Sequence, residues 1–469
     1  MPGYLVADTP RDALPITPIR QAGLKRWLAG PGKAWRGWIE STRFRASPGE
    51  ICLVPGPNRS LARVLVGVAD DDELWAYAGL PASVPEGVYR LDAALAGPAA
   101  GRAALGWALG TYDFARYRKP PRSFASLLWP KGADRAAVAR TVDAVFLARD
   151  LINTPASDMG PAELAAAARN LARKYNAGCE VIEGERLIAR NYPLIHAVGR
   201  ASVRAPRLID LRWGVGRAPK VTLVGKGVCF DSGGLDLKPA SGMQLMKKDM
   251  AGAATMLGLA QMVMDAGLPV RLRLLIPAVE NSVAGNALRP LDVVKSRKGL
   301  TVEIGNTDAE GRLILADALA EAESERPAVL IDCATLTGAA RAALGTELPA
   351  LFSNNDALAA DILRHGEAES DPLWRLPLWR PYRRLLDSKT ADINNSPEGG
   401  YGGAITAALY LAEFVDTRTP WAHIDMMAWQ LSGRPGRPEG GEPTAMRALY
   451  AMLAARFGGR RPGRRARRG

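Results

Sequence analysis

The stretch NTDAEGRL, residues 306–313, sets Asp308, Glu310 and Arg312 in alternation with alanine and glycine, directly after the strand-like TVEI. In an extended segment, side chains two apart share a face, so all three charges would project together. Neighbouring carboxylates repel, and the pattern points to a bound cation or a shared proton. A polar surface turn leading into a helix fits the same eight residues. A second charged group lies upstream in LVGKGVCFDSGGLDLKPASGMQLMKKDMAG, residues 223–252. There Lys226 and Asp231 fall at a strand end, Lys238 in a glycine-rich loop and Asp249 near the start of a helix. Singly, each reads as a surface lysine, a turn aspartate or a first-turn acid favoured by the helix dipole. Together at strand ends they make a candidate site. GKG with SGG invites a phosphate-loop reading, which is disfavoured because neither GxxxxGK[ST] nor GxGxxG is present at this point.

The elements that would position these groups alternate along the chain. Residues 134–155 read as a long helix, with Val138, Val142, Val145, Phe146 and Leu151 near helical spacing and Asn153-Thr154-Pro155 as its stop. Helices are expected at 161–175, 246–267 and 313–324, and strands at 179–184, 207–213, 220–227, 271–279, 301–304 and 328–335. Such alternation predicts an α/β fold with a mostly parallel central sheet flanked by helices. Ligands gather beyond the carboxyl ends of its strands, where KVTLVGKG, TVEIGNTDAEG and AVLIDCATLTG carry their unusual residues. The earlier residues mix short strand-like runs, ICLVP (51–55) and RVLVGVA (63–69), with Gly/Pro-rich connections. The reading is a smaller α/β N-terminal domain over 1–130, a connector helix over 131–155, a larger domain carrying the candidate site over 156–457 and a disordered tail over 458–469.

Composition narrows the chemistry. The 469 residues are 48% hydrophobic and 23% charged, and no uncharged apolar run approaches the ~18 residues that span a bilayer. No secretion signal is read at the N-terminus, and the four dispersed cysteines (52, 179, 229 and 333) suggest reduced thiols in a cytoplasmic protein. Only His196, His365 and His423 exist, far apart, and HExxH is absent. A metal site here must use oxygen ligands, which leaves manganese, magnesium and zinc open. The net charge is +13, and six arginines stand in the tail GGRRPGRRARRG. That tail could meet nucleic acid by counterion release, but it has no aromatic residue for stacking, and a solvated tail is favoured.

NTDAEGRL, with VGKGVCFDSGG, LKPASGM and MKKDMAGAA, resembles the leucyl (cytosol) aminopeptidase family. ENSVAGNALRPLDVV (280–294), DCATLTGA (332–339), LWRLPL (373–378), SKTADINN (388–395) and WAHIDMM (421–427) extend the resemblance over residues 149–430. It implies a two-metal exopeptidase. Lys226, Asp231, Asp249, Asp308 and Glu310 correspond to the ligands of two adjacent divalent ions, Mn²⁺ or Zn²⁺ and also Mg²⁺, with Asp231 and Glu310 bridging. Lys238 and Arg312 correspond to the catalytic pair, Lys238 at the oxyanion and Arg312 holding bicarbonate as general base. Met246 and Thr335 correspond to the pocket for a leucine-like first side chain. The resemblance further implies peptide substrates, hydrolysis at the first peptide bond and a homohexamer. A family member acting mainly as a DNA-binding regulator is the alternative. Two departures stand out: Pro290-Leu291-Asp292 replaces the usual Pro-Gly-Asp, and Asp236 adds a carboxylate near Lys238, where it could alter metal preference or the lysine's pKa.

Overall fold

The computed structural model describes the chain except for residues 1–3, 8–12, 71–72, 120–122, 215, 398 and 460–469. The six tail arginines, expected to be unstructured and available to a polyanion, lie outside the described residues. Two compact units form, Met1–Phe146 with Leu431–Glu439 and Leu147–Gln430 with Gly440–Gly469. The boundary falls within the long helix Arg135–Asn153.

In the first unit, six strands form one sheet in the order Leu5–Val6, Ser126–Leu128, Val88–Leu91, Leu14–Ile19, Leu61–Gly67, Ile51–Pro55. Its pairs are parallel except the last, where Leu61–Gly67 meets Ile51–Pro55 antiparallel. The alternating side chains of ICLVP send Cys52 and Val54 into a core with Ile19, Ile39, Phe44, Ala46 and Leu65. Leu53 faces outward, as strand period requires.

The second unit is built on a nine-stranded mixed sheet. Its centre is four parallel strands in the order Trp421–Asp425, Val329–Ala334, Lys220–Gly225, Arg271–Asn281. Gly227–Asp231 pairs parallel with the far end of Arg271–Asn281, and antiparallel strands close the sheet at Arg207–Gly214, Gly178–Glu183 and Ala350–Ser353. VLIDCA is buried at every position, as befits a strand covered on both faces. The covering helices Ala251–Asp265 and Glu310–Glu323 are buried nearly all round, and their alanines and glycines permit close approach to the sheet. The expected α/β, mostly parallel architecture is what forms.

Two local expectations change. Residues 306–312 are not extended; a turn through Asp308 leads straight into the helix Glu310–Glu323. Asp308 and Glu310 therefore converge through a turn and a helix start, with no shared strand face. The helix expected over 246–267 begins as a 3₁₀ turn, Met246–Met250, and becomes α-helical only at Ala251.

The departure at Pro290-Leu291-Asp292 keeps a left-handed turn, since Leu291 adopts φ +69° while its side chain is 72% exposed. An L-residue with a Cβ strains there, whereas glycine does not. Leu291→Gly is expected to stabilise the protein by about 1 kcal/mol, the relieved strain exceeding glycine's extra chain entropy. The check is thermal denaturation, with the melting temperature rising by roughly 2–4 °C.

Candidate metal centre

The site lies where the parallel strands end. Lys226 follows Lys220–Gly225, Asp231 closes Gly227–Asp231, and Thr335 follows Val329–Ala334. Asp249 comes from the 3₁₀ turn, while Asp308 and Glu310 come from the turn and first residue of the helix behind it. Glycine is required beside them: a Cβ at Gly311 would stand 2.6 Å from Lys226 Nζ. Gly233 and Gly234, at φ +90° and +70°, turn the chain back so that Lys238 can reach the cluster.

Lys226, Asp231, Lys238, Met246, Asp249, Asp308, Glu310 and Thr335 all line one cavity of about 340 Å³. Eight of the nine residues singled out from the sequence thus come together. Arg312 is buried on the same helix but is not part of the lining. A larger cavity of about 700 Å³, lined in part by Arg297, Arg326 and Arg418, gathers none of them.

The charges fall into two groups. Lys226 Nζ stands 2.7 Å from Asp249 Oδ2 and 2.9 Å from Glu310 Oε1, and donates to the Thr335 carbonyl at 2.9 Å. Lys238 Nζ stands 2.8 Å from Asp231 Oδ2 and pairs with Asp308 Oδ1. Asp231 Oδ1 accepts from Asn281 Nδ2 and Gly233 N–H, both at 2.9 Å, and Asp249 Oδ1 accepts from the Thr335 hydroxyl at 2.7 Å. Burial opposes the lysine charges, but the surrounding carboxylates outweigh it and hold both lysines above the ordinary range. Burial, then repulsion from Asp231, pushes Asp308 up to about 6 and Glu310 up to about 8.

These features fit divalent cations. Ligand oxygens of Asp231, Asp308 and Glu310 lie within 4.8 Å of one another. Glu310 is 2% exposed, yet its Oε2 has no hydrogen-bond donor. A buried carboxylate oxygen without a donor is costly unless a cation meets it. Four carboxylates, those of Asp231, Asp249, Asp308 and Glu310, crowd together around two directly paired ammonium groups. Carboxylate oxygens with one lysine nitrogen suit hard to borderline cations, and histidine takes no part. His423 is buried against Asp332 at 2.6 Å, and His196 pairs with Glu185.

Several contributors escaped the sequence reading. Asn281 orients Asp231 from fifty residues away in the chain. Asp425 accepts the backbone N–H groups of Leu336 and Thr337, fixing the loop that carries Thr335. Asp236, expected to act on Lys238 or a metal, accepts the Thr307 N–H at 2.7 Å and clasps the lysine loop to the NTDAEGRL turn. Its carboxylate makes no ion pair among the described residues. Lys248 lines the cavity and was passed over beside Asp249.

Residues 146–450 match the sequence profile of the cytosol aminopeptidase family, catalytic domain. The chain belongs to the cytosol aminopeptidase family. Residues 14–130 match the M17 aminopeptidase N-terminal domain. A probable cytosol aminopeptidase of Geotalea uraniireducens is 42% identical over 365 residues, 74% of this chain and 73% of the relative. The crystal structure of a cytosol aminopeptidase from Coxiella burnetii superposes with a TM-score of 0.94 at 49% identity, covering 97% of this chain and 99% of that one. The bottromycin maturation enzyme BotP, solved in complex with Mn, superposes with a TM-score of 0.85 at 35% identity, covering 94% and 99%. This member of the family is therefore a metal-dependent aminopeptidase and a hydrolase. Among the described residues, no helix is long and apolar enough to cross a membrane.

Proposed function

We propose that this cytosol aminopeptidase holds two divalent ions and removes leucine-like first residues from peptides in the cytoplasm. The observation that carries the reading is the meeting of Asp231, Asp308 and Glu310 oxygens within 4.8 Å beside a Glu310 oxygen that lacks any donor. Lys226, which must give up its proton to offer a lone pair, and Asp249 would serve one ion and Asp308 the other, with Asp231 and Glu310 shared; the grouping of ion pairs supports this division. Bound there, two divalent ions polarise a carbonyl and make water nucleophilic at neutral pH.

The chain's own residues supply the rest. A peptide's free α-amine, in its uncharged form, has the lone pair that a bound divalent ion would take up, which selects the N-terminus. Lys238, 15% exposed at the side chain, turns its ammonium toward the cavity and stabilises negative charge growing on the scissile carbonyl oxygen. Met246 offers apolar surface to a first side chain, and Thr335 fixes Asp249 beside it. Arg312 donates to the Asn395 carbonyl at 2.6 Å, while among the described residues its buried Nε has no acceptor and no carboxylate pairs with it. Such a guanidinium suits a planar anion such as bicarbonate serving as base. A homohexamer belongs to the same reading through family likeness.

The test is hydrolysis of leucine anilide by the purified protein with and without Mn²⁺. Activity is expected with Mn²⁺, loss with a chelator, and no cleavage of the N-acetylated substrate. Equal cleavage of the acetylated compound would overturn capture of the amine, and undiminished activity in excess chelator would overturn the metal site.

A further inference from the structure

Of the two charged groups on the cavity wall that the reading above leaves without a task, Lys248 and Arg341, Lys248 is the buried one. It is 5% exposed, and its ammonium makes no hydrogen bond or ion pair among the described residues. The nearby carboxylates are already committed. Asp249 faces the Thr335 hydroxyl and Lys226, while Asp425 accepts from Leu336, Thr337 N–H and the Thr337 hydroxyl at 2.6 to 3.1 Å. Its neighbour Lys247 behaves differently, donating to the Asn153 carbonyl at 2.7 Å and lying over the Trp429 ring. A buried ammonium is expensive unless an anion meets it, and an anion that met this one would approach from the cavity that Lys248 lines.

The surroundings limit what that anion can be. Leu245, Met246, Leu336, Met426 and Met427 line the same cavity, and Arg341 adds a second cation from the helix Gly338–Leu344. A ligand there needs a short apolar stem ending in negative charge. Resting on the aminopeptidase reading, we infer that the cavity accepts peptides beginning with glutamate or aspartate, as well as leucine-like residues. The stem lies along the methionines and the side-chain carboxylate meets Lys248, with Arg341 adding to the attraction. Lys248 is thus a specificity-determining residue, separate from the groups that hold metal.

The experiment compares kcat/KM for glutamate anilide and leucine anilide, with Mn²⁺, in the wild type, Lys248→Met and Lys248→Arg. Removing a charge-assisted pair is expected to lower the Glu/Leu ratio by about ten- to a hundredfold in the methionine variant. The arginine variant, keeping the charge, should stay within about tenfold of the wild-type ratio. A ratio in Lys248→Met equal to the wild type's overturns the inference, as does failure of the wild type to cleave the glutamate substrate while it cleaves leucine. A wild type that cleaves neither sinks the aminopeptidase reading itself, and this inference with it. A check that needs no variant is competitive inhibition of the wild type by the free amino acids. L-glutamate should inhibit in the same concentration range as L-leucine, and a glutamate that leaves the rate untouched there also overturns the assignment.

Discussion

Glu310→Gln is expected to lower turnover by about 10³-fold or more and Mn²⁺ affinity by at least about a hundredfold, with the fold intact. The substitution keeps the side chain's shape and removes only its charge. As a purely structural group, Glu310 would be poorly chosen: it is 2% exposed, crowded by Asp231, and has an oxygen with no donor. Among the described residues its one ion-pair partner is Lys226 Nζ, 2.9 Å from Oε1. Neutralising such a carboxylate relieves repulsion, so the variant should melt at the wild-type temperature or above it. Sites that sacrifice stability for function behave this way. The measurements are calorimetric Mn²⁺ titration, steady-state kinetics on leucine anilide and a thermal melt of the same preparation. Unchanged Mn²⁺ affinity with unchanged kcat would remove Glu310 from the metal site. A variant that is both inactive and substantially less stable would assign it a structural role instead.

The same residue shows where sequence legibility ends. Its proximity to Asp308 was read correctly but for the wrong geometric reason. TVEI continues naturally into an extended NTDAEG, and the usual helix-start signal is missing, because Ala309 at the N-cap offers no side-chain acceptor. The turn is set by contacts the local pattern does not encode. Asn306 Oδ1 accepts the Asp308 N–H, Asn395 Oδ1 accepts the N–H groups of Gly305 and Asn306, and Asp236 accepts that of Thr307. Strands with continuous apolar runs, such as VLIDCA and KVTLVG, were legible because burial on both faces leaves a composition visible in one dimension. Asn281 was not, since its partner Asp231 lies on a different strand. Lys248 carries no local mark that separates it from Lys247 beside it: a 3₁₀ turn sends one to Asn153 and the other to the cavity wall. Nor does any local pattern mark Leu431–Glu439 as part of the first unit, because a loop's destination depends on what it packs against.

Lys238→Met provides the complementary result. The loop that carries Lys238 is held by the Lys238 N–H to the Ser232 carbonyl at 3.0 Å and by the Asp236–Thr307 clasp. Losing the ammonium therefore should not unfold it. Burial works against the Lys238 charge, yet Asp231 and Asp308 keep it protonated across the working pH range, so it acts as a fixed positive charge and not as a proton donor that empties. The expected loss is about 10²- to 10³-fold in kcat, the usual effect of removing one preorganised oxyanion partner, with KM little changed. Mn²⁺ affinity should move in the opposite sense to that of Glu310→Gln, staying level or tightening. The variant deletes a cation that competes for Asp231 at 2.8 Å and for Asp308, leaving both oxygens freer for metal. A fall in Mn²⁺ affinity parallel to kcat would mean that Lys238 holds the metal site together and does not act on the substrate. Full activity in the methionine variant would mean that growing charge on the carbonyl oxygen is met by the metals alone.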